Sequence, residues 1–293
     1  GNPTVITRAI IPAAGFGTRF LPASKAIPKE LIPVVDKPTI QYVVEEAVEA
    51  GIREILIIIS KGKEAICSHF ESNPELETLL LKKGKHETLE AMKKLSHLAR
   101  IQYAYQEEMK GLGDAILCAR TFASSEPVAI LLGDTILHAQ GPVSPLQSMV
   151  DLHNQTNGSV IALRKVPLHM VSQYGVVSGK PISKRITRIE GLIEKPPREQ
   201  APSQLAVSAR YIVTPGLFEK LDTTPPGVGG EIQITDALHA LAQSEPVFGL
   251  AFEGARLDIG NQLEFIKSNL LMGLEDPRMK EPLWDFIQSL KQP

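Results

Sequence analysis

Apolar positions along this chain fall in two rhythms. Runs rich in β-branched and aliphatic residues, TRAII (7–11), EILIIIS (54–60), RIQYAYQ (100–106) and PVAILLGD (127–134), predict strands. EILIIIS is apolar almost throughout, so this strand is expected to be covered on both faces. Between the strands, TIQYVVEEAVEAG (39–51) spaces its apolar residues three and four apart, an amphipathic helix stopped by Gly51. GKEAICSHF (62–70) and DAILCARTF (114–122) predict two further helices. Such alternation points to a parallel, doubly wound sheet. The pattern then becomes mixed, with strands near 159–166, 174–178, 186–194 and 206–213 and helices near 231–243 and 261–275. Residues 72–98 are charged and leucine-rich and read as a helical insertion.

Length and composition narrow the classes. At 293 residues the chain suits one large α/β domain, 1–293, ending in a helical segment over about 261–293. The net charge of −2 gives no bulk attraction to nucleic acid or to an anionic membrane. No apolar stretch approaches the roughly 20 residues that span a bilayer, and the first residues lack the basic-then-apolar pattern of a secretory signal. Two cysteines, Cys67 and Cys118, make no disulfide framework, and a reducing cytoplasm is expected. The seven histidines show no metal-ligand spacing, and there is no Ser/His/Asp set or Cys-x-x-Cys pair.

Candidate chemistry begins with AAGFGTRFLPASKAIPKE (13–30), directly after the first strand. Gly15 and Gly17 match the start of a dinucleotide fingerprint, but Phe20 stands at its third small position and Asp36 lies in a proline-rich loop, not at a strand end. A P-loop is absent. What remains is a long loop whose glycines let backbone N–H groups approach oxygens closely and whose Arg19, Lys25 and Lys29 supply positive charge. Phosphate is the natural guest, and a solvated basic loop is the alternative; Lys25 in particular reads equally well as a solvated lysine. Asp134 closes AILLGD, and a carboxylate at the end of a buried strand calls for a partner or a metal. Gln106 ends its strand with an amide that could accept from the N3–H of uracil or thymine and donate to a base oxygen. Cytosine offers the opposite pattern.

Gly15-Phe16-Gly17-Thr18-Arg19, Leu21-Pro22 and Pro28-Lys29 together resemble the signature of the sugar-1-phosphate nucleotidylyltransferases. VDKPTIQYVVEEAVEAGI, GLGDAILCAR, LLGD, YGVV, IEKP, APSQLAVSARYIVTP, GGEIQITDAL and LDIGNQLEFIKSN follow in that family's order, between about residues 7 and 270. The resemblance implies the nucleotide-diphospho-sugar transferase fold: a Rossmann-like mixed, mainly parallel sheet flanked by helices, with nucleotide at the N-terminal half and sugar at the C-terminal half. The helical insertion is similar to that of the uridylyltransferase branch. The reaction so implied is attack of glucose-1-phosphate on UTP, giving UDP-glucose and pyrophosphate with Mg²⁺ and no covalent intermediate. A thymidylyltransferase, an enzyme for another sugar, and a catalytically silent sugar-nucleotide-binding regulator are the alternatives.

By the same resemblance Arg19 and Lys29 hold the triphosphate, and Lys195 of IEKP grips the sugar phosphate. Ala13, Ala14, Gly15, Gly17 and Thr18 present backbone to the nucleotide, Gln106 and Gly111 meet the base, and Glu30 neighbours base or ribose. Gly175 of YGVV and Glu194 meet the sugar hydroxyls, while Asp134 and Asp258 ligate the metal. A homodimer or homotetramer is implied. The loop GVGGEIQITDAL (227–238) is expected near the sugar site, with no chemistry given to Glu231. Two departures stand out: Asp114 where the family usually has histidine, and Thr135 where a second acidic residue is common.

Overall fold

A computed structural model describes residues 6–290; residues 1–5 and 291–293, the ends of the domain expected over 1–293, lie outside the described residues. The strands are β1 (Arg8–Pro12), β2 (Pro33–Val34), β3 (Lys37–Pro38), β4 (Glu54–Ile59), β5 (Arg100–Tyr105), β6 (Val128–Leu131) and β7 (Thr135–Ala139). There follow β8 (Ser159–Lys165), β9 (Gly175–Pro181), β10 (Ile186–Glu194), β11 (Leu205–Val213), β12 (Val247–Ala251) and β13 (Gly254–Asp258). The helices are α1 (Thr39–Glu49), α2 (Ala65–Phe70), α3 (Pro74–Lys82), α4 (His86–Leu95), α5 (Leu112–Leu117) and α6 (Arg120–Ala123). The chain closes with α7 (Pro145–Thr156), α8 (Gly216–Asp222), α9 (Ile234–Ala242), α10 (Gln262–Glu275) and α11 (Lys280–Ser289).

Nine strands form one sheet in the order β5-β4-β1-β6-β11-β8-β12-β10-β9. The first four run parallel, since helical crossovers separate them in sequence. β11 is antiparallel to both β6 and β8, β12 is parallel to β8, and β10 and β9 close the edge antiparallel. Parallel character therefore belongs chiefly to the N-terminal half. After β1 the chain steps outward to β4 and β5, then crosses back to place β6 on the other side of β1. The carboxyl ends of β1 and β6 thus flank a topological switch point, where open α/β sheets bind ligands.

Side-chain alternation explains why this half is buried twice over. Ala9 and Ile11 of β1 and Ile55, Ile57 and Ile59 of β4 join Val43 and Ala47 of α1 on one face. Ile10, Leu56 and Ile58 join Ala115 and Ile116 of α5 on the other. The insertion over 72–98 holds α3 and α4; Asn73 caps α3 by accepting from the Leu76 N–H, with Pro74 in the first turn. The helix expected over 114–122 starts at Leu112 and breaks near Ala119 into α5 and α6.

Several elements carried no sequence signal. β7 and β13 form a separate antiparallel ribbon of five residues each, with Asp258 opposite Thr135. α7, α8 and β12 were likewise unmarked. One long-range interaction ties these parts together: Arg210 of β11 is 0% exposed. Its Nε donates to Glu46 Oε2 of α1 at 2.6 Å, and its Nη2 donates to the Thr135 carbonyl at 2.7 Å. A charge buried so deeply is tolerable only because it is paired and hydrogen-bonded.

Glu46→Ala should therefore cost about 3–5 kcal/mol, since it strands the Arg210 charge. Urea unfolding of variant and wild type measures this; a loss below about 1 kcal/mol would show that the pair does not hold β11 to α1.

Candidate functional site

At the carboxyl ends of β1 and β6 lies a cleft of about 450 Å³. Ala13, Ala14, Gly15, Gly17, Thr18, Arg19, Lys29, Glu30, Gln106, Gly111 and Asp134, all marked in the sequence, line it. Lys25 does not: it is exposed at the outer turn of the loop.

The loop over 13–30 has little regular structure, so its shape depends on anchors. Gly17 has φ +65°, and a Cβ there would sit 3.1 Å from Lys29 Cδ, so a side chain would strain the backbone and crowd Lys29. Phe20 is buried and meets Phe265 of α10 edge-on, 5.2 Å between centroids. Lys29 Nζ donates to Asp134 Oδ2 at 2.8 Å. Burial opposes the charge on Lys29, but Asp134, Glu30 and Asp258 outweigh it and raise its pKa. Burial likewise opposes charge on Asp134, yet Lys29, Arg256 and the Thr135 hydroxyl bring its pKa down to about 2.

Glu30 is only 1% exposed, and its carboxylate lies 2.6 Å from Lys63 Nζ. Burial pushes its pKa up, with Lys63 and Lys29 opposing. Glu30 borders the cleft with its carboxylate paired to Lys63. Lys63 also donates to the Gly15 carbonyl at 2.8 Å, so it fastens both ends of the loop. No motif marked Lys63, a lysine just after β4.

Gln106 departs from expectation in one half of its amide. Its Nε2 donates to the Gly111 carbonyl at 3.2 Å and to Asp114 Oδ2 at 3.0 Å. The donor end is thus occupied, and only the carbonyl remains for a guest. Asp114 stands in the first turn of α5, where Gly111 is the N-cap. Gly111 has φ +104°, and a Cβ there would lie 2.7 Å from Glu231 Cβ. The close approach is enforced by backbone bonds from Gly113 N–H to the Ile232 carbonyl and from Ile232 N–H to the Lys110 carbonyl. Glu231 consequently reaches the cleft wall. Thr135 is buried and donates its hydroxyl to Asp134 Oδ1 at 3.2 Å.

Like Lys25, the marked residues Asp258, Gly175, Glu194 and Lys195 do not line this cleft. Asp258 lies across the β7–β13 ribbon from Thr135 and accepts from the Gly260 N–H at 2.8 Å. Gly175 faces Glu194 across β9 and β10. A Cβ on Gly175 would crowd Thr235 Oγ1 and Glu194 Oε2 at 3.0 and 3.1 Å. Glu194 Oε2 accepts from Thr235 Oγ1 at 2.6 Å, a partner the sequence did not suggest. Lys195 is exposed, with its N–H donating to the Tyr174 carbonyl at 2.9 Å. Arg256 was also unmarked. Its guanidinium lies 5.6 Å from the Tyr174 ring and 3.9 Å from Asp258 Oδ2. No group of three or more metal-ligating side chains occurs among the described residues.

The family model described as nucleotidyl transferase matches residues 8–273. A UTP–glucose-1-phosphate uridylyltransferase of Bacillus subtilis strain 168 is 47% identical over 285 residues, covering 97% of each chain. A UTP-bound UGPase structure from Acinetobacter baumannii superposes with a TM-score of 0.91 at 37% identity, covering 98% of this chain and 100% of that one. A UDP-glucose pyrophosphorylase complexed with UDP-glucose gives 0.85 at 38% identity, covering 92% and 100%.

The depressed pKa of Asp134 makes a pH prediction. Its folded value of about 2 lies below the ordinary 3.8, so its stabilisation is present above pH 3.8 and is lost as pH falls through about 2. In magnesium-free buffer Asp134→Asn should be less stable than wild type by about 2 kcal/mol at pH 6. The gap should close toward pH 2, where a protonated aspartate resembles asparagine. Equal stability at pH 6 would remove the Lys29–Asp134 pair from the forces holding the loop.

Proposed function

Because this chain belongs to the nucleotidyl transferase family, we propose that it transfers a uridylyl group from UTP to glucose-1-phosphate, releasing pyrophosphate and forming UDP-glucose. The observation that carries this reading is convergence: the glycine-rich loop, Lys29, Gln106 and Asp134, far apart in sequence, share one cleft. The relatives reported above supply the substrates by name.

A sugar-phosphate oxygen attacks the α-phosphorus of the nucleotide, and the bond to pyrophosphate breaks. Two anions must meet, so the barrier is chiefly electrostatic, and no covalent enzyme intermediate is needed. Arg19, exposed at the cleft wall and bonded through its side chain to none of the described residues, is assigned to the triphosphate. Lys29 can exchange its Asp134 contact for phosphate oxygens and neutralise the departing pyrophosphate. Ala13, Ala14, Gly15, Gly17 and Thr18 offer backbone to the nucleotide, and Gln106 and Gly111 face the base. The Lys63–Glu30 pair keeps the loop in place. Glu194, steadied by Thr235, and Gly175 receive the sugar hydroxyls, while Lys195 brings in the sugar phosphate.

Asp134 and Asp258 stand at the ends of neighbouring strands and offer only oxygen donors, which fits Mg²⁺ completed by phosphate oxygens and water. When bound, the metal supplies positive charge to the phosphates. We further assign the protein to the cytoplasm: no helix among the described residues is long and apolar enough to cross a membrane, and the thiols of Cys67 and Cys118 are free. Exposed Leu263, Ile266, Trp284 and Phe286 on α10 and α11 favour a homodimer or homotetramer.

Pyrophosphate release with Mg²⁺ tests the reaction, comparing UTP with dTTP and glucose-1-phosphate with galactose-1-phosphate. UTP with glucose-1-phosphate should be preferred; release with another pair moves the substrate, and none with any pair overturns the reading. Lys195→Ala should lower turnover roughly 100-fold or more while UTP binding survives. Loss of UTP binding instead would put Lys195 on the nucleotide.

A further inference from the structure

Asp114 has no part in the chemistry above, yet it is bonded to the side chain that faces the base. Gln106 is 5% exposed, and its backbone N–H is held by the Ile59 carbonyl at 2.8 Å, so its main chain is fixed and its side chain is enclosed. What it shows the cleft depends on which way the terminal amide is turned. The two groups behind that amide are the Gly111 carbonyl and the Asp114 carboxylate, at 3.2 and 3.0 Å. Both are acceptors only, so chemistry alone requires the NH₂ to face them. Both N–H bonds are then used. Oε1 receives no hydrogen bond from the described residues and is left as the polar atom offered to the cleft.

We propose that Asp114 selects the base by locking Gln106 in this orientation, so that the cleft reads the pyrimidine with an acceptor alone. Uracil and thymine bring N3–H, which an acceptor satisfies. Cytosine brings a bare N3, and two lone pairs would then face each other. A free glutamine could turn over and donate to cytosine, which would erase the discrimination. Here the turn would set Oε1 against a carboxylate and a carbonyl, losing two hydrogen bonds, one of them to a charged group. The aspartate that stands where the family usually has histidine is thereby a positioning residue. This inference rests on the reading of the cleft as a nucleotide site with Gln106 at the base.

The test is binding of UTP, dTTP and CTP to the intact protein by calorimetry, for wild type, Asp114→Asn and Gln106→Ala. Asparagine matches aspartate in shape but can face the glutamine with either end of its amide, so both orientations of Gln106 become available. The wild-type preference for UTP over CTP should shrink about tenfold or more in Asp114→Asn and also fall in Gln106→Ala. The UTP/dTTP ratio is the internal control, because both bases carry N3–H, and it should hold. A UTP/CTP ratio unchanged in Asp114→Asn but reduced in Gln106→Ala would overturn the lock and leave the base site standing. A ratio unchanged in both variants would overturn the base site itself, and the lock with it.

Discussion

An ammonium and a carboxylate 2.8 Å apart, Lys29 and Asp134, hold the two banks of the cleft together. Lys29 ends a loop of glycines and prolines that has almost no ladder bonds of its own; Asp134 follows β6, a buried strand. Each charge would be costly to keep partly buried alone, and together they make the position of the loop the least expensive arrangement. The Lys63–Glu30 pair repeats this logic at the other bank, with Lys63 also taking the Gly15 carbonyl. A segment that could wander is thus fixed by charge rather than by secondary structure. That arrangement also leaves the loop backbone free for a ligand.

Behind the cleft, Arg210 does for the sheet what Lys29 does for the loop. Its guanidinium joins β11, α1 and the Thr135 carbonyl, so the residue after Asp134 is held from below. The β7–β13 ribbon then carries Asp258 to the same neighbourhood. Segments 164 and 75 residues away from Arg210 are therefore registered against β11 through buried polar contacts. Such contacts contribute specificity of arrangement, since any slip strands a charge.

The cations of the site fall into two groups. Lys29 and Lys63 are paired and partly or wholly buried, whereas Arg19 and Lys195 are exposed and bound through their side chains to none of the described residues. Held charges shape the cleft, and in the proposed reaction the free charges are the ones left to capture a ligand. This division suits a reaction whose difficulty is bringing two anions together. Glu194 is another prepared group, its carboxylate already oriented by Thr235.

Much of this was legible in the residue order. TRAII read as a strand, EILIIIS as a strand buried on both faces, and TIQYVVEEAVEAG as a helix hiding one face, because hydrophobic period is a local property. The cleft-lining loop was legible because Gly17 must adopt a left-handed turn beside Lys29, a constraint that leaves its mark in composition. Lys63, Arg256, Thr235 and the ribbon that carries Asp258 left no such mark, since each owes its place to a partner distant in sequence. The orientation of the Gln106 amide belongs to the same class: glutamine offers both a donor and an acceptor, and only the tertiary structure, by setting two acceptors behind it, decided which one faces the cleft.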